Sequence, residues 1–329
     1  MGECPLTTAQ LVFLYAAEEL NIARAARRAY ISQQCASNHI KNLEAQYGIA
    51  LFNRKPSLTL TPAGEYLQQS LRQIQLIEQN TNSGIEEINK GAVGKLSVGI
   101  NPTRSRILMP RILEKFSTDF PKVGVSLQCG DTISNLHLLQ QGKLDFVIGI
   151  GAQASDVAPF AVTPLSTEQI FFLTTEAMIQ RYCPDFYHQL DPQGRVSLHT
   201  LTAFPFCRNL TGSTLTRLID TYLYQEKIEL NTRYNISDYD TQMELCLSDI
   251  AAVFCPAMIL SRIFGQTASR TYRTSPLVFP IQEVRDELCI DLVQNTYTFQ
   301  SSFVKNFVRI LKDEVQTYSG LDNLHLLIK

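Results

Sequence analysis

Gln33, Gln34, Ser37, Asn38 and Lys41 fall together in one short stretch of the chain. Side-chain amides, a hydroxyl and an ammonium group can donate to and accept from base edges in the major groove of DNA. The stretch holds no carboxylate before Glu44, so nothing on it repels phosphate. Cations gather around it. Arg24, Arg27, Arg28, Lys41, Arg54 and Lys55 lie between Asn21 and Pro62, with Glu44 the single acid in that span. Such a local excess suits a polyanion. Arg54 and Lys55 fall where they would grip phosphate rather than read bases.

No other stretch spells out catalytic chemistry. The five histidines, His39, His137, His188, His199 and His325, stand in no metal-binding spacing, and neither a GxSxG elbow nor a phosphate-binding P-loop occurs. His39, within the base-reading stretch, reads as a surface or helix-packing residue. The eight cysteines include no CxxC pair, which sets a zinc ribbon aside. No catalytic residue, metal or cofactor is therefore expected, and buried free thiols are the expectation for the cysteines. Cys246 and Cys255 have a spacing that invites a redox pair. Yet Cys255 adjoins Pro256 in an apolar run, where a thiol has a raised pKa and low reactivity.

Three short helices would position the base-reading groups. Thr8 can cap the first, with Leu11, Leu14 and Ala17 inward and Phe13 and Leu20 alongside. Asn21 suits the cap of the second, whose small stripe Ala25, Ala26 and Ala29 allows close approach. Ser32 caps the third and Gly48 stops it. Ala36, Ile40 and Leu43 recur at helical spacing and face the core, which turns the amides, the hydroxyl and Lys41 outward. Leu51 to Arg54 and Leu58 to Thr61 flank the turn Lys55-Pro56-Ser57 and predict a hairpin, or wing, tipped by Arg54 and Lys55.

Thr61 and Pro62 then open a helix running to about Lys90. It would be on the order of 40 Å long. Leu67, Leu71, Ile74, Ile85 and Ile88 give it an apolar seam, which a second copy of the chain would cover most simply.

From Lys95 the period changes. Strands at Leu96 to Ile100, Val123 to Cys129 and Leu144 to Ile150 alternate with helices at Ile107 to Phe120 and Ile133 to Gln141. Pro110 is placed in the first turn of its helix, where a missing N–H does no harm. This order predicts a parallel sheet that binds ligand at the carboxyl ends of its strands. Leu215 to Tyr224, Asp240 to Leu247 and Ala251 to Phe254 suggest a second α/β unit, and Phe303 to Val315 a last amphipathic helix.

The 329 residues suit two or three units, and 45% hydrophobic with 18% charged residues is a globular composition. The net charge of -2 confines any polyanion-binding role to the basic segment. Met1 to Pro5 lacks a basic start with an apolar run after it, so no secretory signal is expected. The strongest apolar run, Ile250 to Leu260, is too short to span a bilayer and contains Pro256. A cytoplasmic protein without membrane contact is expected.

Ala25-Ala26, Ile31-Ser32-Gln33, Ala36-Ser37, Ile40, Leu43-Glu44, Gly48, Leu51-Phe52, Arg54 and Leu60-Thr61-Pro62-Ala63-Gly64 follow one another in an order that resembles the LysR-type transcriptional regulators. Gly99, Leu108-Met109-Pro110, Phe116, Pro121, Gly142-Lys143-Leu144-Asp145 and Pro256 extend the resemblance more loosely over nearly the whole chain. Two departures stand out. Gln34 replaces the usual Pro or Ser, and Asp249 and Ala251 stand where the family has two glycines.

The resemblance implies an N-terminal all-α winged helix-turn-helix at 1–62 and a linker helix at 63–91. It further implies a C-terminal α/β domain at 95–320, like a two-lobed periplasmic binding protein. Lobe I would take about 95–167 and 276–320, and lobe II about 168–275. The crossings would lie near Thr167-Glu168 and Ser275-Pro276. A small polar or anionic effector between the lobes would touch Asn101, Thr103, Arg104, Thr132, Thr211, Gly212 and Ser213. Helix N-termini offer free N–H groups to anions there, and Arg104 a charge-assisted bond to a carboxylate. The implied partners are double-stranded DNA, the effector, RNA polymerase and the chain itself as homodimer or homotetramer. The alternatives are a cysteine-based redox regulator of the same family, or a soluble small-molecule binding protein without DNA function.

Overall fold

Small side chains decide how the first helices meet. The computed structural model describes residues 6–90, 93–151, 160–210, 213–261, 276–296 and 301–318. Helices α1 (Thr8–Glu19), α2 (Ile22–Arg28) and α3 (Gln33–Tyr47) close around buried Ala16, Ala25, Ala26 and Ala36, with Val12, Phe13, Leu14, Ile40 and Leu43 filling the rest. The cap of α1 is Thr7, not Thr8. Its hydroxyl accepts from Gln10 N–H while the Gln10 side chain accepts from Thr7 N–H, a reciprocal box that fixes the first turn. Leu20, expected beside the core, is the left-handed end residue of α1 and is exposed. Asn21, Ser32 and Gly48 cap as the sequence predicts.

The wing is the two-residue pairing of β1 (Phe52–Asn53) with β2 (Thr59–Leu60). Helix α4 (Pro62–Lys90) starts against it, and the Thr61 hydroxyl accepts from Gly64 N–H. Gly64 has no room for a side chain, because a Cβ there would overlap the Leu51 carbonyl oxygen. The expected seam of α4 divides. Leu67 and Leu71 complete the core of the N-terminal unit, while Ile74, Ile77 and Ile85 are exposed.

The α/β part begins with β3 (Gly94–Ile100), α5 (Pro102–Asp119), β4 (Val123–Cys129), α6 (Thr132–Gln140), β5 (Phe146–Ile150) and β6 (Phe160–Glu168). The second lobe holds β7 (Ile170–Thr175), α7 (Glu176–Tyr182), α8 (Leu198–Leu201), β8 (Pro205–Arg208), α9 (Thr214–Glu226), β9 (Asn231–Asn235), α10 (Tyr239–Leu247), β10 (Val253–Pro256) and β11 (Pro276–Pro280). The chain returns to the first lobe in β12 (Leu288–Asn295) and α11 (Ser302–Gln316). The first sheet runs β4-β3-β5-β12-β6, with β3 parallel to β4 and β5, and β12 antiparallel to β5 and β6. The second sheet runs β10-β7-β11, with β8 and β9 paired beside it.

The chain passes from the first sheet to the second between Glu168, the end of β6, and Ile170, the start of β7. The return comes later than Ser275-Pro276. Residues Pro276–Pro280 still pair with β7, and the first sheet is regained only at Leu288. Helix α5 also begins before Ile107, capped by Asn101, so Pro110 lies inside it rather than in its first turn. The ring faces solvent at a position where Leu108, Met109 and Ile112 are buried, and that packing outweighs the lost backbone hydrogen bond. Asp249 takes the left-handed conformation (φ 59°), and its carboxylate accepts from the Thr175 hydroxyl. Among the described residues no helix is long and apolar enough to cross a membrane. Among them, too, no cluster of His, Cys, Asp or Glu is placed to hold a metal.

Candidate nucleic-acid interface and effector cleft

With Ala36, Ile40 and Leu43 buried, α3 turns Gln33, Gln34, Asn38 and Lys41 to solvent and leaves Ser37 partly exposed. Glu44, at the far end, is turned away from this face. One of its oxygens accepts from Leu51 and Phe52 N–H (3.0 and 3.3 Å), the other from Arg54 Nη2 (2.8 Å). The one acid of the basic segment therefore pins the wing to α3 and takes up Arg54. Arg28 pairs with Glu18 and lies over the Tyr15 ring, and Arg24 reaches Glu19. Arg27, Lys41 and Lys55 make no ion pair among the described residues. The basic excess legible in the sequence is thus partly spent within the fold, and Lys55 is the wing cation left without an ion pair among the described residues.

In the α/β part, the first turn of α5 carries Asn101, Thr103 and Arg104. Asn101 caps it by accepting from Thr103 N–H (3.0 Å), and Thr103 is buried. Arg104 is 1% exposed. Its Nη2 donates to Glu168 at the end of β6, while Nε and Nη1 have no hydrogen-bond partner among the described residues. The other Glu168 oxygen accepts from Met258 N–H (3.1 Å), just after β10. Burial pushes the Arg104 guanidinium down to about 10, so it stays charged at neutral pH. The buried phenol of Tyr239, raised to about 12 by the same desolvation, is close enough to interact with it and is hydrogen-bonded by Asn209.

A second meeting point lies at the carboxyl end of β5. Thr132, first residue of α6, accepts from Ile150 N–H (3.3 Å), and Thr214, first residue of α9, donates to Ile150 C=O (3.2 Å). One threonine from each lobe thus grips the same residue. Ser213 caps α9 and accepts from Thr216 N–H (3.1 Å). Across the same gap Arg106 pairs with Asp240 at the start of α10. Thr132 and the helix start that Ser213 caps are thus brought together. Arg104 is held by a protein carboxylate, a partner the sequence did not indicate. Thr211 and Gly212 lie outside the described residues. Glu168, Thr214 and Tyr239 were not named as site residues from the sequence. An acid beside the apolar run Ile170 to Leu173 was the available signal for Glu168.

The candidate thiol pair is sealed in. Cys246 and Cys255 are fully buried, each donating weakly to a backbone carbonyl, and burial pushes both thiols far up.

Comparison with known proteins places both halves. Residues 9–65 match the family model "Bacterial regulatory helix-turn-helix protein, lysR family", and residues 89–316 match "LysR substrate binding domain". A probable RuBisCO transcriptional regulator of Phaeodactylum tricornutum is 25% identical, covering 95% of this chain and 99% of its own. Full-length CbnR, solved in complex with its target DNA, has the same fold, with a TM-score of 0.56 and 20% identity over 94% of this chain and 100% of that one. ArgP from Mycobacterium tuberculosis shares the fold as well, with a TM-score of 0.68 and 14% identity, over 95% of this chain and 99% of that one. With a helix-turn-helix unit, a two-lobed α/β unit and both family models matched in order, the chain belongs to the LysR family of transcriptional regulators.

Proposed function

We propose that the chain reads an operator through α3 as a dimer and answers to a small polar or anionic effector held between its lobes. The exposed, acid-free face of α3 carries the proposal. Gln33, Gln34, Ser37 and Asn38 contact base edges, and Lys41, Lys55 and Arg54 hold phosphates, Arg54 by sharing itself with Glu44. Two copies meet along the exposed isoleucines of α4 and place their heads in successive major grooves. Residues 1–62 form the reading unit, 63–91 the linker and 95–320 the effector domain. Thr103, Thr132 and Ser213 face the effector together with Asn101, Thr211 and Gly212, while Arg104 reaches it through its two unpartnered nitrogens, Nε and Nη1. The regulator works in the cytoplasm and meets RNA polymerase at its promoters, as a dimer or a pair of dimers. Buried, unreactive Cys246 and Cys255 weigh against thiol redox sensing.

Quantitative DNA binding tests this. Retention of the duplex upstream of its own coding region should fall steeply with salt. Gln33→Ala should lower discrimination between that duplex and random DNA by about 1–3 kcal/mol, and Lys55→Ala should weaken both equally. Salt-insensitive or absent retention would refute the proposal.

A further inference from the structure

Tyr30 stands in the turn between α2 and α3 and is 96% exposed. Its backbone is left-handed, with φ 57°. The turn is fixed by Tyr30 N–H donating to Arg27 C=O (3.1 Å) and Ile31 N–H to Ala26 C=O (3.0 Å), the pair of hydrogen bonds that ends a helix in a left-handed residue. Glycine takes this position without steric cost, and asparagine more easily than a ring-bearing residue. A tyrosine here adds backbone strain and leaves nearly its whole ring in water. Among the described residues its phenol has no hydrogen-bond partner. The fold therefore gains nothing from this side chain.

Its surroundings suggest what does. Arg27, whose carbonyl holds the turn, is exposed and free of ion pairs among the described residues, unlike Arg24, Arg28 and Arg54. Gln33 and Gln34 follow directly, at the end of α3 that enters the groove. A group just outside the base-reading end of such a helix lies over the sugar–phosphate rim.

We propose that Tyr30 is a DNA contact, its phenol donating a hydrogen bond to a backbone phosphate beside α3, with Arg27 supplying charge at the same phosphate run. This rests on α3 being the reading helix. The pair would set the register of α3 on the duplex, and the strain at Tyr30 is retained for that contact.

The test uses the full chain and the duplex upstream of its own coding region, titrated at several salt concentrations, with melting and light-scattering mass measured alongside. Tyr30→Gly should melt no lower than wild type yet bind about tenfold more weakly, the size of one lost hydrogen bond to a charged group. Tyr30→Phe should lose as much, with the salt slope unchanged. Arg27→Gln should lower that slope by about one. Wild-type affinity in Tyr30→Phe would overturn the proposal. So would a lower melting temperature for Tyr30→Gly, which would make the ring part of the fold. A changed oligomeric mass would assign the ring to a second copy and overturn it too. If wild type itself fails to bind, the reading role of α3 falls first and this contact with it.

Discussion

Removing Glu168 should be among the most damaging single changes in the effector domain. Glu168→Ala leaves the Arg104 guanidinium 1% exposed and still charged, since a guanidinium keeps its proton in proteins. Two of its nitrogens already lack partners, and the change strips the third while also orphaning Met258 N–H. Breaking a buried pair from one side costs about 3–5 kcal/mol. That is a fifth or more of a stability of roughly 5–15 kcal/mol. The paired change Arg104→Met with Glu168→Gln removes both charges and keeps an oxygen for Met258 N–H. It should lie closer to wild type than Glu168→Ala does, because it leaves no buried charge unpaired. Urea denaturation of wild type, each single variant and the double variant gives the coupling directly. A loss below about 1 kcal/mol for Glu168→Ala would show that water reaches Arg104, and the reasoning from burial would fail.

Gly64→Ala should destabilise the junction of wing and linker helix, by about 1–3 kcal/mol as an overpacked site, because its Cβ meets backbone at Leu51 that cannot rotate away. Thermal melting that matched wild type would contradict this. Asp131 caps α6, and the Ser134 backbone N–H it accepts holds its carboxyl below the usual range. Its folded pKa is therefore lower than its unfolded one, so its contribution is complete above about pH 4 and fades as pH falls through the folded value. Asp131→Asn, which keeps the cap, should flatten that acid limb in a stability-against-pH series. Among the described cysteines, a disulfide reagent at pH 8 should label exposed Cys129 first and spare Cys207, Cys246 and Cys255, whose thiols burial pushes up, Cys207 to about 11. Early labelling of Cys246 or Cys255 by peptide mapping would reopen the redox reading.

The sequence by itself determined what depends on neighbours along the chain. Helical spacing of Ala36, Ile40 and Leu43 settled which face of α3 meets solvent, because one helix has one period. Caps at Asn21 and Ser32, the stop at Gly48 and the Thr61-Pro62 start were legible for the same reason. Local patterns failed where other contacts chose among near-equal options. Thr7 rather than Thr8 caps α1 because Gln10 answers it, and Pro110 sits within α5 because the core below holds that helix together. The charge count around α3 was readable, but not its spending: Glu18 and Glu19 lie outside the basic span, and only folding brings them to Arg28 and Arg24. The cleft shows the limit most sharply. Thr132 and Ser213 were found as helix starts, whereas the partner of Arg104 lies 64 positions away at a strand end. Burial of that guanidinium, and the choice of Glu168 to hold it, exist only once both lobes are packed, since no spacing along the chain encodes a contact made across it.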